Sequence, residues 1–261
     1  MIKITLVTVT YNATQVLGRT LDSVFRQRYN NVEHIIIDGA SSDGTAALAQ
    51  DYLERSIASD GGHEVRLLVE PDNGIYDAMN KGLSLATGDY VCFLNAGDAL
   101  PADDTLALLA ERIAADTADG EERPAVVYGN TDIVDTDGRF LRHRRLSPPA
   151  DLTWRSFRNG MLVCHQAFYA RTDLARDIRY NLSYRYSADF DWCVRVMRKA
   201  EEKGLRMTDS GLLLAHYLNE GATTRNHKAS LRERFRIMAE YYGTLPTALR
   251  HVWFALRSVC G

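Results

Sequence analysis

The sequence predicts an α/β fold in which helices flank a mostly parallel central sheet. Over residues 1–98, short apolar and β-branched runs alternate with longer segments of helical periodicity. This alternation is typical of β-α-β units, whose strands run parallel to one another. At 261 residues the chain can bury one full core, whereas two unrelated domains would be cramped.

The first part of the chain is predicted to contain four strands that alternate with helices. The strands lie at residues 3–9, 32–37, 64–69 and 90–94, and the helices at 14–28, 43–58, 75–87 and 103–115. The polar and charged residues 116–124 then predict an exposed connection to the second half of the domain.

The second half, residues 125–220, is predicted to combine shorter strands with one long helix. The strands lie at residues 126–128, 131–134, 163–170 and 207–215, and the helix runs from its cap, Ser187, to Lys203. Residues 221–261 are predicted to form C-terminal amphipathic helices at 231–242 and 246–260.

The last predicted helix carries an apolar stripe beside basic residues. The stripe consists of Leu249, Val252, Trp253, Leu256 and Val259, and the basic residues are Arg250, His251 and Arg257. Such a helix packs on its own domain or on a second copy of the chain, or it lies as a basic helix on a membrane surface. No apolar run approaches the roughly 20 residues that a membrane span needs.

Composition and charge limit the classes of partner. The formal net charge is −3 with both signs interspersed, which argues against a nucleic-acid partner. The chain enters its first strand without the apolar stretch of a signal peptide, so we expect a cytoplasmic protein, with the inner face of the cell membrane as a docking surface. The cysteines form no C-x-x-C motif and are interpreted as reduced core residues, apart from Cys260, which has no assigned role; they are Cys92, Cys164, Cys193 and Cys260.

Polar and acidic residues follow three of the predicted strands. They lie at residues 10–12, 38–45 and 95–98, and Asp98 comes directly after an apolar run. Open α/β sheets bind ligands in the crevice outside the carboxyl ends of their strands. Neither a G-x-G-x-x-G motif after the first strand nor a P-loop motif is present, so the dinucleotide and P-loop classes lose their main support.

Four stretches of the chain together resemble glycosyltransferase family 2, which has the GT-A fold. They lie at residues 8–12, 35–45, 72–98 and 187–192, and the order and spacing of the family extend over residues 1–220. The resemblance implies an inverting enzyme that transfers a sugar from a nucleotide diphosphate sugar to a glycan or lipid-linked acceptor in surface polysaccharide synthesis. The implied donor is a UDP-linked hexose or N-acetylhexosamine. A catalytically weak nucleotide-sugar or glycan-binding module of the same fold is the alternative, and a sugar-1-phosphate nucleotidyltransferase ranks third.

The resemblance also implies which residues contact the donor. Asp38 would accept the N–H of a pyrimidine base and Tyr11 would lie against its ring, although Asp38 also suits a turn residue. Asp43 is interpreted as a helix cap rather than a ligand. The full set of predicted donor contacts is Val9, Tyr11, Asp38, Asp72, Lys81 and Asn95.

A divalent cation, Mn²⁺ or Mg²⁺, is implied at the end of the fourth strand. Asp98 resembles the last carboxylate of the family's D-x-D motif, but here the motif is Asn95-Ala-Gly-Asp98. One carboxylate, the donor diphosphate and waters still make an oxygen shell that hard cations accept. His216 is the predicted further ligand of the cation. Its alternatives are a contact with the diphosphate and a purely structural role. The alternative for Asp98 is a helix cap.

Two aspartates compete for the role of catalytic base. Asp189 and Asp191 lie two residues apart on the predicted helix, so they project to different sides. Asp191 has the spacing of an ion pair with Arg195, which leaves Asp189 as the predicted base, with a pKa raised by partial desolvation. The alternative for Asp189 is an aspartate favoured by the dipole at the start of the helix.

Two further groups are left with open roles. His165 resembles an acceptor-side histidine of the family and is equally a core residue. The basic run with Arg142, Arg144 and Arg145 would clamp phosphates or an anionic lipid carrier, or simply form a solvated face.

Overall fold

The computed structural model describes residues 1–59, 62–117, 120–219 and 227–259, apart from the side chains of residue 227 and of residues 255–259. The strands are β1 (Ile4–Thr10), β2 (Val32–Asp38), β3 (Glu64–Val69), β4 (Tyr90–Phe93), β5 (Val126–Val134), β6 (Phe140–His143), β7 (Phe168–Arg171) and β8 (Met207–Leu218). The α-helices are α1 (Thr14–Phe25), α2 (Thr45–Ala58), α3 (Ile75–Leu85), α4 (Thr105–Ala115), α5 (Thr172–Ala175), α6 (Ala188–Glu202), α7 (His227–Tyr242) and α8 (Thr244–Val259). Two 3₁₀ helices lie at Trp154–Asn159 and His165–Ala167.

One mixed sheet contains these strands, in the order β3-β2-β1-β4-β7-β5-β6. The first four strands of this order pair in parallel, whereas β7 is antiparallel to β4 and β5. β8 pairs in parallel with β5, on the edge opposite β7 and β6. The predicted mostly parallel sheet is confirmed.

Burial on both faces explains the apolar strands. All seven residues of β1 and of β2 are buried, as expected for central parallel strands covered by helices. α3 packs so closely on β1 that a Cβ added at Gly82 would lie 2.3 Å from a methyl carbon of Val7. The absence of a side chain at residue 82 thus permits the close approach of helix and sheet.

The second half of the sheet differs from the prediction in three places. The two strands predicted at 126–134 form one strand, β5, with irregular register around Gly129. The prediction of a strand at 163–170 was wrong for its first part, because residues 165–167 form a 3₁₀ helix and β7 begins only at Phe168. β8 extends to Leu218, so His216 lies within the strand and not after it.

The C-terminal helices are present as predicted, and α8 leaves part of its apolar stripe uncovered. Leu249, Val252 and Trp253 are 65%, 58% and 55% exposed, and Leu245 is 72% exposed. The side chains of Leu256 and Val259, and all of Cys260, lie outside the described residues. Among the described helices, none combines the length and apolarity needed to cross a bilayer. Cys92 and Cys193 are buried free thiols, as expected for core residues.

Candidate functional site

The carboxyl ends of β1, β2 and β4 lie side by side at one edge of the sheet. Thr10, the last residue of β1, is in register with Asp38, the last residue of β2. Val7 of β1 is in register with Phe93, the last residue of β4. The segments that follow these strands therefore surround one crevice, which is where open α/β sheets bind ligands.

Asp98 is buried just after β4, and both its carboxylate oxygens accept hydrogen bonds. Gln166 Nε2 donates to Oδ2 at 2.7 Å, and the N–H of Leu218 donates to Oδ1 at 2.9 Å. Burial raises the pKa of Asp98 to about 6, although these two hydrogen bonds oppose the rise. Asp98 is not a helix cap, because α4 begins at Thr105 with Asp104 at its N-cap position.

A chain of hydrogen bonds joins the end of β4 to the start of α6. Asn95 Nδ2 lies 3.1 Å from His165 Nε2, and His165 Nδ1 lies 3.2 Å from Asp189 Oδ2. The Tyr76 hydroxyl donates to Asp189 Oδ1 at 3.2 Å. The structure thus brings together Asn95, His165 and Asp189, three residues singled out in the sequence, and adds Tyr76.

Asp189, the predicted base, has a side chain that is 14% exposed. Burial raises its pKa, but the hydrogen bond and charge of His165, together with the charge of Arg234, outweigh burial and leave the pKa below its usual value. The expected rise in this pKa was therefore wrong. Burial acts in the predicted direction, but the sequence did not show that an imidazole faces the carboxylate.

Asp191 faces a different set of partners. Arg195 Nε donates to its Oδ2 at 2.8 Å, and the Tyr241 hydroxyl donates to its Oδ1 at 2.6 Å. The predicted ion pair with Arg195 is confirmed, although Asp191 is buried rather than at the surface. The carboxylate of Asp191 is therefore occupied by Arg195 and Tyr241, whereas Asp189 is the aspartate that hydrogen bonds link, through His165, to Asn95 after β4.

Tyr11, Gly39 and Asp72 converge at the crevice. A Cβ added at Gly39 would lie 2.5 Å from Asp72 Oδ2 and 3.2 Å from the Tyr11 ring, so a side chain at residue 39 would displace the Asp72 carboxylate. Tyr11 is 65% exposed. Two of the predicted donor contacts are therefore neighbours, and one of them presents an open aromatic ring.

Asp38 shows the turn role that the sequence left open. Its carboxylate accepts the N–H of Ser41 at 2.8 Å and the Ser41 hydroxyl at 2.6 Å. Asp43 likewise has a structural role, because it accepts the N–H groups of Thr45 and Thr14 at the starts of α2 and α1. The contact of Asp38 with a nucleotide base stays a prediction.

Val9 and Lys81 are engaged within the chain. Val9 is 5% exposed and belongs to the core. Lys81 Nζ lies 2.8 Å from Glu70 Oε1 and donates to the carbonyl of Pro71. Their contacts with a donor also stay predictions.

His216 lies in β8 and pairs through its backbone with the residue that follows Asp98. Its N–H donates to the carbonyl of Ala99 at 2.8 Å, and its carbonyl accepts the N–H of Ala99 at 3.0 Å. Burial lowers the pKa of its imidazole, and the charge of Asp132 opposes this. The role of His216 as a metal ligand with Asp98 stays a prediction.

The predicted basic patch divides into one structural arginine and two exposed ones. Arg144 donates to the carbonyl oxygens of Leu146 and Leu162 at 2.8 and 3.0 Å. Arg142 and Arg145 are exposed, as in the solvated-face alternative. A phosphate clamp at these two positions stays a prediction.

Sequence reasoning missed four residues near the two carboxylates, and the signals for them differ. Tyr76 lies inside a motif stretch and Gln166 follows His165, so closer reading of those segments could have found both. Tyr217 and Arg234 come from β8 and α7, far along the chain, and only the tertiary structure places them here.

Comparison with known proteins decides the family. The model of glycosyl transferase family 2 matches residues 5–179, which is more than half of the chain. The chain belongs to glycosyl transferase family 2. The match to the family 2 model ends before α6, so Asp189 lies beyond it.

Curated relatives of this family 2 chain come from several bacteria. A PGL/p-HBAD biosynthesis glycosyltransferase of Mycobacterium bovis is 36% identical over 188 residues, 71% of this chain and 66% of that protein. An uncharacterized glycosyltransferase of Mycobacterium tuberculosis is 28% identical over 255 residues, 95% of this chain and 87% of that protein. The match to the first of these spans just under two thirds of that relative's length.

Solved structures confirm the GT-A fold of the family 2 chain. S. aureus TarS 1–349 in complex with UDP-GlcNAc has a TM-score of 0.70 at 17% identity, covering 91% of this chain and 65% of the TarS 1–349 chain. The mannosyltransferase PcManGT from Pyrobaculum calidifontis, in complex with GDP-Man and Mn²⁺, has a TM-score of 0.61 at 18% identity, covering 100% and 76%. At these identities the likeness establishes the fold alone.

Proposed function

We propose that this family 2 chain is an inverting glycosyltransferase that moves a sugar from a nucleotide diphosphate sugar to a glycan or lipid-linked acceptor. The observation that carries the proposal is the hydrogen-bonded connection from Asn95 through His165 to Asp189. It joins the crevice at the end of β4, where a donor would bind, to a carboxylate that is able to take a proton from an acceptor hydroxyl.

Asp189 has the features that a general base in this reaction needs. Its depressed pKa keeps it ionised, and hydrogen bonds from His165 and Tyr76 fix the direction of its carboxylate. Its remaining exposure leaves room for an acceptor hydroxyl. Attack by the deprotonated hydroxyl opposite the departing diphosphate is a single displacement, which inverts the anomeric carbon.

The donor nucleotide is assigned to the crevice beside Tyr11. The exposed ring of Tyr11 offers a stacking surface for a base, and Asp72 lies next to it. TarS, with UDP-GlcNAc, and PcManGT, with GDP-Man, have the same fold. These neighbours support a nucleotide sugar as donor, and we propose a UDP-linked hexose or N-acetylhexosamine.

Asn95 and Asp98 fit a divalent cation. Asn95 Oδ1 is buried and has no hydrogen-bond partner in the described part of the chain, and amide oxygens are ligands for Mg²⁺ and Mn²⁺. No group of three or more His, Cys, Asp or Glu able to hold a metal occurs among the described residues. A cation would therefore need the donor's diphosphate oxygens as well, and once bound it would neutralise charge on the departing diphosphate.

Surface glycan synthesis is the proposed setting. The mycobacterial relative is named for PGL/p-HBAD biosynthesis and the 30% identical relative of Erwinia amylovora for amylovoran biosynthesis. The exposed stripe of α8 is proposed to contact the membrane surface that carries a lipid-linked acceptor. A second copy of the chain is the alternative partner for the stripe.

The test is turnover by the wild type and two matched variants. Purified protein is incubated with UDP-, GDP-, CDP- and dTDP-sugars, Mn²⁺ and polyprenyl diphosphate glycans, and the released nucleoside diphosphate is measured. Asp189→Asn should lower kcat by about 10²- to 10⁴-fold with little change in donor affinity. The exposed Asp51→Asn on α2 is the control and should have wild-type activity. Donor binding without turnover in the wild type would favour the binding-module alternative.

A further inference from the structure

Helix α7 is tied to the segment that leads into α6 and Asp189. The Glu233 carboxylate accepts the N–H groups of Arg185, Tyr186 and Ser187, each at 2.7 Å. Hydrogen bonds from N–H groups to a carboxylate are charge-assisted and short. Three of them on one side chain fix α7 in position and register against the start of α6.

The start of α6 has no side-chain cap of its own, and the contact with Glu233 holds the segment that leads into it. Ser187 occupies the N-cap position, but its side chain makes no capping hydrogen bond and lies 3.4 Å from the Ser230 hydroxyl of α7 instead. Backbone N–H groups of a non-helical segment need acceptors from elsewhere in the structure when they are taken out of water. In this chain α7 supplies them.

Arg234, the next residue of α7, is thereby held beside Asp189. Its guanidinium carbon lies 5.4 Å from the centre of the Phe190 ring, and Phe190 is fully buried next to Asp189 in the chain. The charge of Arg234 also contributes to the low pKa of Asp189. Arg234 therefore belongs to the surroundings of the candidate base.

Among the described residues, the guanidinium of Arg234 has no anionic partner. Its Nε is buried without a hydrogen bond, and among the described residues no ion pair involves its charge. Other arginines of the same region are paired: Arg195 with Asp191, and Arg236 with Glu240. A half-buried guanidinium that has no ion pair with any described residue is able to accept an anion without breaking such a pair.

We propose that Arg234 binds a phosphate group of the bound reactants next to Asp189. The planar guanidinium offers paired N–H donors that match two phosphate oxygens. The inference rests on the proposed glycosyl transfer, in which phosphate groups have two sources, the donor diphosphate and a lipid-linked diphosphate acceptor. Arg234 lies outside the residues that match the family model.

The experiment compares Arg234→Gln with the matched control Arg236→Gln, which lies on the same helix and is exposed. Calorimetry measures the binding of UDP, GDP, CDP and dTDP with Mn²⁺, and separately of decyl diphosphate as a stand-in for the acceptor. We expect Arg234→Gln to weaken one of these ligand classes by about 10- to 100-fold, because a hydrogen bond to a charged group is lost. Arg236→Gln should bind like the wild type, and Arg234→Lys should recover part of the affinity.

The outcomes separate the two sources and the two proposals. Loss confined to the nucleotides identifies the donor diphosphate, and loss confined to decyl diphosphate identifies the acceptor. Equal binding by the wild type and Arg234→Gln, with both melting at similar temperatures, overturns the role of Arg234 and leaves the proposed transfer standing. If the wild type binds neither the nucleoside diphosphates nor decyl diphosphate, the role of Arg234 is overturned. If the wild type binds these ligands but does not turn over, the proposed function is overturned and the role of Arg234 is not.

Discussion

The Nδ1 atom of His165 lies 3.2 Å from the carboxylate of Asp189. On its other side, Nε2 of the same ring lies 3.1 Å from the amide nitrogen of Asn95. In the neutral form of the ring, Nε2 accepts from this amide nitrogen and Nδ1 carries the proton. The neighbour at residue 95 therefore selects the tautomer that donates to Asp189.

Replacing His165 should move the pH dependence of transfer. The hydrogen bond and charge of His165 lower the pKa of Asp189, so in His165→Ala burial dominates and that pKa rises. Because the base acts as a carboxylate, the acid limb of kcat/KM should shift to higher pH. Initial rates measured between pH 4 and 8 would show it, on a range set by the ordinary values of about 4 for Asp and 6.5 for His.

His143→Gln is the control for the pH experiment. His143 also lies beside an aspartate, Asp132, but its side chain is 86% exposed and it belongs to β6. The control should keep the wild-type profile. An unchanged acid limb in a folded His165→Ala protein would contradict the proposed link between His165 and Asp189.

Two glycines in helices should respond in opposite ways to alanine. At Gly82 an added Cβ would meet a methyl carbon of Val7 at 2.3 Å, and Val7 is fully buried, so Gly82→Ala should lower the free energy of unfolding by about 1–3 kcal/mol. At Gly18 in α1 nothing lies within 4 Å, so Gly18→Ala should raise it by up to about 1 kcal/mol. Urea unfolding measures both. Equal effects at the two sites would show that α3 does not pack on β1 as described.

The uncovered stripe of α8 should carry membrane contact. Trp253→Ser should weaken binding to anionic phospholipid vesicles by about tenfold or more, because a large apolar side chain is removed from the contact. Leu182→Ser is the control, since Leu182 is as exposed as Trp253, 55%, but lies outside the helix. Vesicle flotation measures the bound fraction. A wild type that stays unbound yet elutes as a dimer would assign the stripe to a second copy of the chain.

The parallel half of the sheet could be predicted because its signals are local. β1, β2 and β4 are buried along their whole length, so each appears as an apolar run bounded by polar residues, whereas β3 at the edge of the sheet is only partly buried. The second half of the sheet was harder to predict. Gly129 led to the prediction of two strands where β5 is one, and the segment at His165, predicted as a strand, forms a 3₁₀ helix. Tertiary contacts, rather than local pattern, determine those two segments.

The candidate site could be predicted where its residues stand in a recognisable motif. Asp98 and Asp189 were found this way, and the structure connects them to Gln166 and His165. His216 was predicted to follow its strand but lies inside β8, because the end of β8 at Leu218 could not be located from the sequence. Arg234 carried no sequence signal, since an arginine on an amphipathic helix is ordinarily solvated.

The hydrogen bonds from the segment before α6 to the Glu233 carboxylate determine where this protein can be truncated. A fragment ending with β8 would contain the whole sheet and every residue that matches the family model. It would nevertheless leave three N–H groups beside Asp189 without their acceptor. Truncations and fusions designed from the edge of the sheet would therefore divide the unit that holds the reactive aspartate, and a safer terminus lies beyond α7.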